Sequence, residues 1–211
     1  MMTRIVAGTF GGRRLSVPAT GTRPTSERAR EGVFSTLVSM LGGFDGVRFL
    51  DLYAGSGAVG LEAWSRGAAQ VTLVEAAPRA VDVLRANIAA LMPDAGKPGV
   101  ATSGTPGSVT VIAAKVESAM ASLAGRAFDV VFADPPYDVT STALSEVAGT
   151  LRRRGLLAEG AIVAVERAAR DRWSWPDGIE PLRERRYGDA TVWYGRAARV
   201  VDGVSAEPAI D

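Results

Sequence analysis

The sequence predicts an α/β fold: a seven-stranded, mostly parallel sheet with an antiparallel edge strand, preceded by a small β-hairpin and a helix. Three observations predict it. Beyond residue 46, short apolar runs alternate with segments of helical period. The apolar runs are nearly continuous, as in strands covered on both faces. The 211 residues are 47% hydrophobic and 22% charged, enough for one ordinary domain with a real core.

The elements follow in order. "TRIVAGTFGGRRLSVP" alternates apolar and polar residues around "GTFGG" and reads as a hairpin from Thr3 to Val17. A helix follows, capped by Thr25 or Ser26, with Val33, Phe34, Leu37 and Leu41 as its apolar face and Gly42 and Gly43 at its end. "VRFLDLY" is a buried strand and "AVGLEAWSRG" a helix closed by Gly67. "AQVTLVE" is the next strand, and "PRAVDVLRANIAALM" a helix with Pro78 at its first turn. The Gly- and Pro-rich "PDAGKPGVATSGTPGS" is expected to be a surface loop. "VTVIAA" and "FDVVFAD" are strands, "TALSEVAGTLRRRG" a helix and "AIVAVERA" a strand. "LRERRYGDATVWYGR" makes two strands around a Gly-Asp turn and supplies the antiparallel edge. The domain reading is an extension over residues 1–31, a core domain over 32–199 and a frayed tail over 200–211.

Composition removes several chemistries. The chain has no cysteine and no histidine, which excludes thiolate or imidazole zinc sites, Cys nucleophiles and Ser-His-Asp triads. No metal is expected. No apolar run spans a bilayer and the N-terminus lacks a signal-peptide core, so a cytoplasmic protein without membrane contact is expected. The net charge of +1 hides a cluster: Arg4, Arg13, Arg14, Arg23, Arg28 and Arg30 stand against Glu27 and Glu31 in the first 31 residues. Such a lobe suits phosphate contacts, and a solvated charged face is the plain alternative.

"FLDLYAGSGAVGLEA" contains G-x-G-x-x-G at Gly55, Gly57 and Gly60. It follows a strand and opens a helix, where an open α/β sheet binds ligands. A dinucleotide, S-adenosylmethionine or no ligand at all would each tolerate these glycines. Asp51 tips the balance, because a carboxylate beside a pyrophosphate is unfavourable but suits a cationic ammonium or sulfonium. "DLYA" also separates the apolar strand from the first glycine, unlike the dinucleotide motif. Glu75, ending the second core strand, is placed to accept ribose hydroxyls of either nucleotide.

"FDVVFADPPYD" adds a reaction. After Asp134, Pro135 and Pro136 fix the backbone path and leave their carbonyls as acceptors. Asp134 and the Pro135 carbonyl can face one small group, with Tyr137 as a flat surface beside it. An exocyclic amino group on a nucleobase wants that arrangement: two acceptors turn its delocalised lone pair toward a methyl donor. Asp134 can then take the departing proton, directly or through water. A strand-ending Pro-Pro turn with a structural Tyr is the plain alternative.

These motifs together resemble the class I S-adenosylmethionine-dependent methyltransferases. "RIVAGTFGGRRLSVP", "TRPTSERAREGVFSTL" and "RYGDATVWYGR" resemble one branch, the RsmD family, from about Arg4 to Arg196. The resemblance implies a Rossmann-like fold and methyl transfer to the N2 amino group of a guanine in 16S ribosomal RNA. It implies a cofactor site at Asp51, Tyr53, Ala54, Gly55, Gly57, Glu75, Ala76 and Val116. Asp134, Pro135, Pro136 and Tyr137 would be catalytic, and the six N-terminal arginines would meet RNA. The partner would be 16S rRNA, within a small-subunit particle, met by a monomer. After the third core strand, where many relatives place an acidic or polar residue near the adenine, this chain departs from the pattern with the run "AAKVES". The rivals are an N6-adenine methyltransferase acting on DNA or another RNA, a dinucleotide-dependent oxidoreductase, and a non-catalytic RNA-binding scaffold.

Overall fold

A computed structural model describes residues 2–18, 26–92 and 107–198. Arg23, Thr25, most of the Gly- and Pro-rich loop and the tail lie outside the described residues. The sheet strands are β3 (Arg48–Leu52), β4 (Gln70–Glu75), β5 (Ser108–Ala113), β6 (Phe128–Ala133), β7 (Leu157–Ala168), β8 (Ile179–Tyr187) and β9 (Ala190–Ala197). They run in the order β5-β4-β3-β6-β7-β9-β8. β3 to β7 are parallel, β9 runs against β7, and β8 is the edge strand, antiparallel to β9.

Both faces of the sheet are covered, which explains the unbroken apolar runs. Phe49, Val130, Phe132, Ile162 and Ala164 join one core cluster; Leu50, Leu52, Val131, Val163 and Val165 join the other. The first cluster includes residues of α1 (Glu27–Leu41), α2 (Ala58–Ser65) and α3 (Pro78–Leu91). The second includes residues of α4 (Val116–Ser122) and α5 (Ser141–Arg153). At β3 the chain order reverses: β4 and β5 extend to one side, and the chain then crosses to β6 on the other. The carboxyl ends of β3 and β6 therefore flank the crevice where such sheets bind ligands. Helix α4, only two turns long, is absent from the sequence reading. Among the described residues no helix is long and apolar enough to cross a membrane.

The hairpin forms with shorter strands than expected, β1 (Met2–Arg4) against β2 (Arg14–Ser16). Its intervening loop is held by α2. Val6 and Ala7 donate backbone N–H bonds to the Glu62 carboxylate at 2.7 and 3.0 Å, and Phe10 donates to Ser65 Oγ at 2.9 Å. A side chain at Gly8 (φ +84°) would meet the Ser65 carbonyl at 1.8 Å, so this close approach needs glycine. Asn87 of α3 accepts from Ser16 N at 2.8 Å and donates to the carbonyls of Ser16 and Ser56, both at 2.9 Å. The extension is thus fastened to α2, which begins at the glycine turn, and to α3, whose Asn87 also holds that turn at Ser56. The expected boundary at residue 31 falls inside α1, whose Ser26 cap accepts from Ala29 N.

Arg30 corrects one expectation. It is a buried structural cation, not part of an RNA-facing surface: its exposure is 0%. Its guanidinium donates to the Arg4 carbonyl, and Nε lies 3.5 Å from Glu62, which is itself buried and paired with Arg66 at 2.8 Å. Desolvation lowers the Arg30 pKa, while Glu62 and then Glu27 oppose that shift.

Candidate active site

A cavity of about 1200 Å³ opens at the carboxyl ends of the parallel strands. Its volume exceeds the ~300–1,000 Å³ common for single small-molecule pockets. The core fold supplies one wall. Tyr53 and Gly55 follow β3, Glu75 and Ala76 end β4, and Lys115, Val116 and Glu117 follow β5. Asp134, Pro135, Pro136 and Tyr137 follow β6. The opposite wall comes from Arg28 and Gly32 of α1 and from the β8–β9 turn, residues 186–190. Nine expected cofactor or catalytic residues are thus brought together: Tyr53, Gly55, Glu75, Ala76, Val116, Asp134, Pro135, Pro136 and Tyr137.

The glycines divide the work. A Cβ on Gly55 would meet only the Tyr53 carbonyl at 4.0 Å, so its backbone faces open space that a ligand can enter. Gly55 N donates to Glu75 Oε2 at 2.8 Å, and Ala77 N donates to Oε1 at 2.7 Å. Each oxygen retains a lone pair for a further donor. Gly57 caps α2 at φ +80°, where a Cβ would strike Leu84 at 2.2 Å. A Cβ on Gly60 would strike Leu73 at 2.2 Å, so this glycine serves helix–strand packing. Tyr53 adopts φ +62°, a left-handed backbone unusual for a bulky residue. Burial, with Glu117 nearby, pushes its hydroxyl pKa up to about 12.

Asp51, Ala54 and Gly57 do not line the cavity. Ala54 joins the turn to β4 by donating to the Val74 carbonyl at 2.9 Å. Asp51 is 1% exposed and lies beneath the turn, where its Oδ2 accepts from Gly60 N at 2.8 Å. The direct contact with a cationic ligand expected from sequence does not follow from that placement. Burial chiefly lifts its pKa to about 8; the Gly60 bond opposes this, while the charges of Asp134 and Glu75 add to it.

A pH-dependent stability follows. The folded-state pKa is raised above the ordinary 3.8, so the contribution of Asp51 is fully present below about pH 4 and is lost as pH rises through about 8. Asp51→Asn removes that loss. The melting temperature of the variant should rise relative to wild type between pH 4 and 8, as read by thermal unfolding without ligand. A difference that stays constant with pH would refute the assignment.

The Asp-Pro-Pro-Tyr segment is held from below. Val139 N donates to the Pro136 carbonyl at 3.0 Å, closing a turn. Arg167, ending β7, donates from Nη1 to the Val139 carbonyl at 2.8 Å and from Nη2 to Asp171 at 2.9 Å. The Pro136 carbonyl is therefore used by the turn, and that of Pro135 has no hydrogen bond of this kind among the described residues. Tyr137 is 77% exposed, an aromatic surface at the cavity mouth. Sequence reasoning missed Lys115, Glu117, Arg167 and the β8–β9 turn as cavity residues. Arg167 alone carried a signal, since it ends a predicted parallel strand on the ligand-binding side.

Among the proposed RNA contacts, Arg28 lines the cavity. Arg13 and Arg14 are exposed on the hairpin, and Arg4 is exposed but paired with Glu27 at 2.8 Å.

The family described as conserved hypothetical protein 95 matches residues 3–196. The chain is 36% identical over 164 residues to the ribosomal RNA small subunit methyltransferase D of Escherichia coli K12, covering 77% of this chain and 73% of that protein. A solved structure of a hypothetical protein from Thermus thermophilus is 31% identical with a TM-score of 0.72, covering 91% and 98% of the two chains. The rRNA methyltransferase AviRa of Streptomyces viridochromogenes is 21% identical with a TM-score of 0.62, covering 87% and 88%. At that identity it speaks to the fold, which is the class I methyltransferase fold.

Proposed function

The chain belongs to the RsmD family of methyltransferases, and from that premise we propose that it transfers a methyl group from S-adenosylmethionine to the exocyclic N2 amino group of a guanine in 16S ribosomal RNA. The observation that carries this reading is the Asp134–Tyr137 segment facing the same cavity as Gly55 and Glu75. One wall offers a nucleoside-binding carboxylate, the next offers paired acceptors and an exposed aromatic ring. The volume of about 1200 Å³ leaves room for a cofactor and a nucleobase side by side.

The residues present fit the cofactor. Glu75 would accept the ribose hydroxyls with the lone pairs that Gly55 and Ala77 leave available. The bare backbone at Gly55 and the strained Tyr53 would border the methionine end, and Ala76 and the backbone near Val116 the adenine. Asp51 would act from beneath, fixing the start of α2 through Gly60. S-adenosylmethionine supplies, when bound, an electrophilic methyl group on a sulfonium.

Asp134 and the Pro135 carbonyl accept the two amino hydrogens of the target base, and Tyr137 stacks on its ring. Held that way, the nitrogen lone pair points out of the base plane, and Asp134 takes the proton that leaves as the new N–C bond forms. Arg167 keeps the acceptors in register through Val139. The substrate would be met in the cytoplasm, in a small-subunit particle, by a monomer.

Titration calorimetry tests the site: S-adenosylmethionine should bind and NAD should not. Mapping of 16S rRNA from cells with and without the gene should show one guanine N2 methylation lost. Binding of NAD alone would overturn the proposal, and methylated adenine lost in place of guanine would transfer the activity to the adenine reading.

A further inference from the structure

We infer that the outer edge of the sheet, strand β8, is a second contact surface for the RNA backbone, separate from the N-terminal hairpin; this rests on the RNA substrate proposed above. β8 is exposed from Glu180 through Arg186. Arg183 lies opposite Tyr194, and Arg185 opposite Val192. Directly opposed residues share a face of the sheet. Tyr194 and Val192 belong to the core beneath α1, so both guanidinium groups project on the α1 side. Among the described residues neither arginine has an ion-pair partner.

The direction of the strand links this edge to the reaction. β8 runs the same way as the parallel strands, being antiparallel to β9, and so ends at the cavity, where Arg186 and Tyr187 join its wall. Tyr187 abuts α1 at Gly32, where a Cβ would come within 2.4 Å of its ring. The same helix brings Arg28 to the cavity mouth. At about 3.3 Å per residue, Arg183, Arg185 and Tyr187 form a track roughly 13 Å long that leads to the target-base site.

The carboxylates of β8 lie off that track. Glu184 is opposite Trp193 on the other face, and Glu180 is opposite Arg196 at the far end. Charges of either sign can protect a sheet edge from pairing. Edge protection does not require that they be arginines on one face, leading into a cavity. Arginine is the side chain suited to forked contact with phosphate.

The test compares the full-length chain with Arg183→Ser/Arg185→Ser and with Arg183→Lys/Arg185→Lys, using 16S rRNA transcript across a salt series. In the Ser variant, the slope of log affinity against log salt should shrink in magnitude by roughly 1.4 to 1.8, while S-adenosylmethionine affinity is unchanged. The Lys variant should keep the wild-type slope. An unchanged slope in the Ser variant, with wild type binding normally, overturns this inference and leaves the proposed function standing. So does an affinity lost only for assembled particles, which would make the edge a protein contact. Wild-type protein with no salt-dependent binding to either the transcript or assembled small-subunit particles overturns both.

Discussion

Asp134→Ala is expected to lower kcat by about 10³-fold, with S-adenosylmethionine affinity changed by less than about threefold. The magnitude joins two losses. Removing a positioned acceptor in a water-poor site commonly costs about 10²–10³ in rate, and removing a general base about 10²–10⁴. The losses overlap because one carboxylate performs both tasks. The affinity should hold because Asp134 reaches the cavity from β6, whereas the proposed nucleoside contacts come from β3, β4 and the segment after β5. Asp134→Asn separates the roles. It retains an acceptor oxygen and the side-chain shape but loses basicity, so an intermediate rate would assign the difference to proton removal. Single-turnover methylation of rRNA, together with calorimetric cofactor binding, checks all three proteins. Turnover near the wild-type level in the Ala variant would remove Asp134 from the mechanism.

The sheet was legible because burial on both faces leaves a mark that needs no partner to read. "FLDL", "VTLV" and "DVVFA" could be placed as strands from their own residues, and Asp-Pro-Pro-Tyr announced the end of β6 by local backbone chemistry. Two misreadings came from treating charge as surface. Arg30 sits at helical spacing from Val33, Phe34 and Leu37, on the apolar face of α1, and that period already predicts burial. Asp51 shares strand parity with Phe49, which faces the core beneath α1 and α2. Its parity thus points under the turn more than into the crevice. The opposite wall was a different problem. The β8–β9 turn reaches the cavity only through the order β6-β7-β9-β8, which no local pattern encodes.

Glu62→Ala should cost about 3–5 kcal/mol of stability, the usual range when one partner of a buried ion pair is removed. For a chain of this size that is a fall of roughly 6–20 °C in melting temperature. The effect is expected to be large because Glu62 serves several donors at once. It holds Arg30 at 3.5 Å, Arg66 at 2.8 Å and the backbone N–H groups of Val6 and Ala7. Its removal leaves the fully buried Arg30 charge without the nearest opposing one and strands two backbone donors. Glu62→Gln keeps the shape and an acceptor oxygen but not the charge, and should fall between. Adding Arg30→Met to Glu62→Gln should recover part of the loss, since it removes the buried charge left without its partner. Denaturant unfolding gives the energies. Hydrogen exchange should show residues 2–17 losing protection first in the Ala variant, because Glu62, together with Ser65, ties their loop to α2. Equal loss across the sheet would instead make Glu62 a general core residue. A first loss at the hairpin would show that α2 joins the glycine turn at one end to the N-terminal extension along its flank.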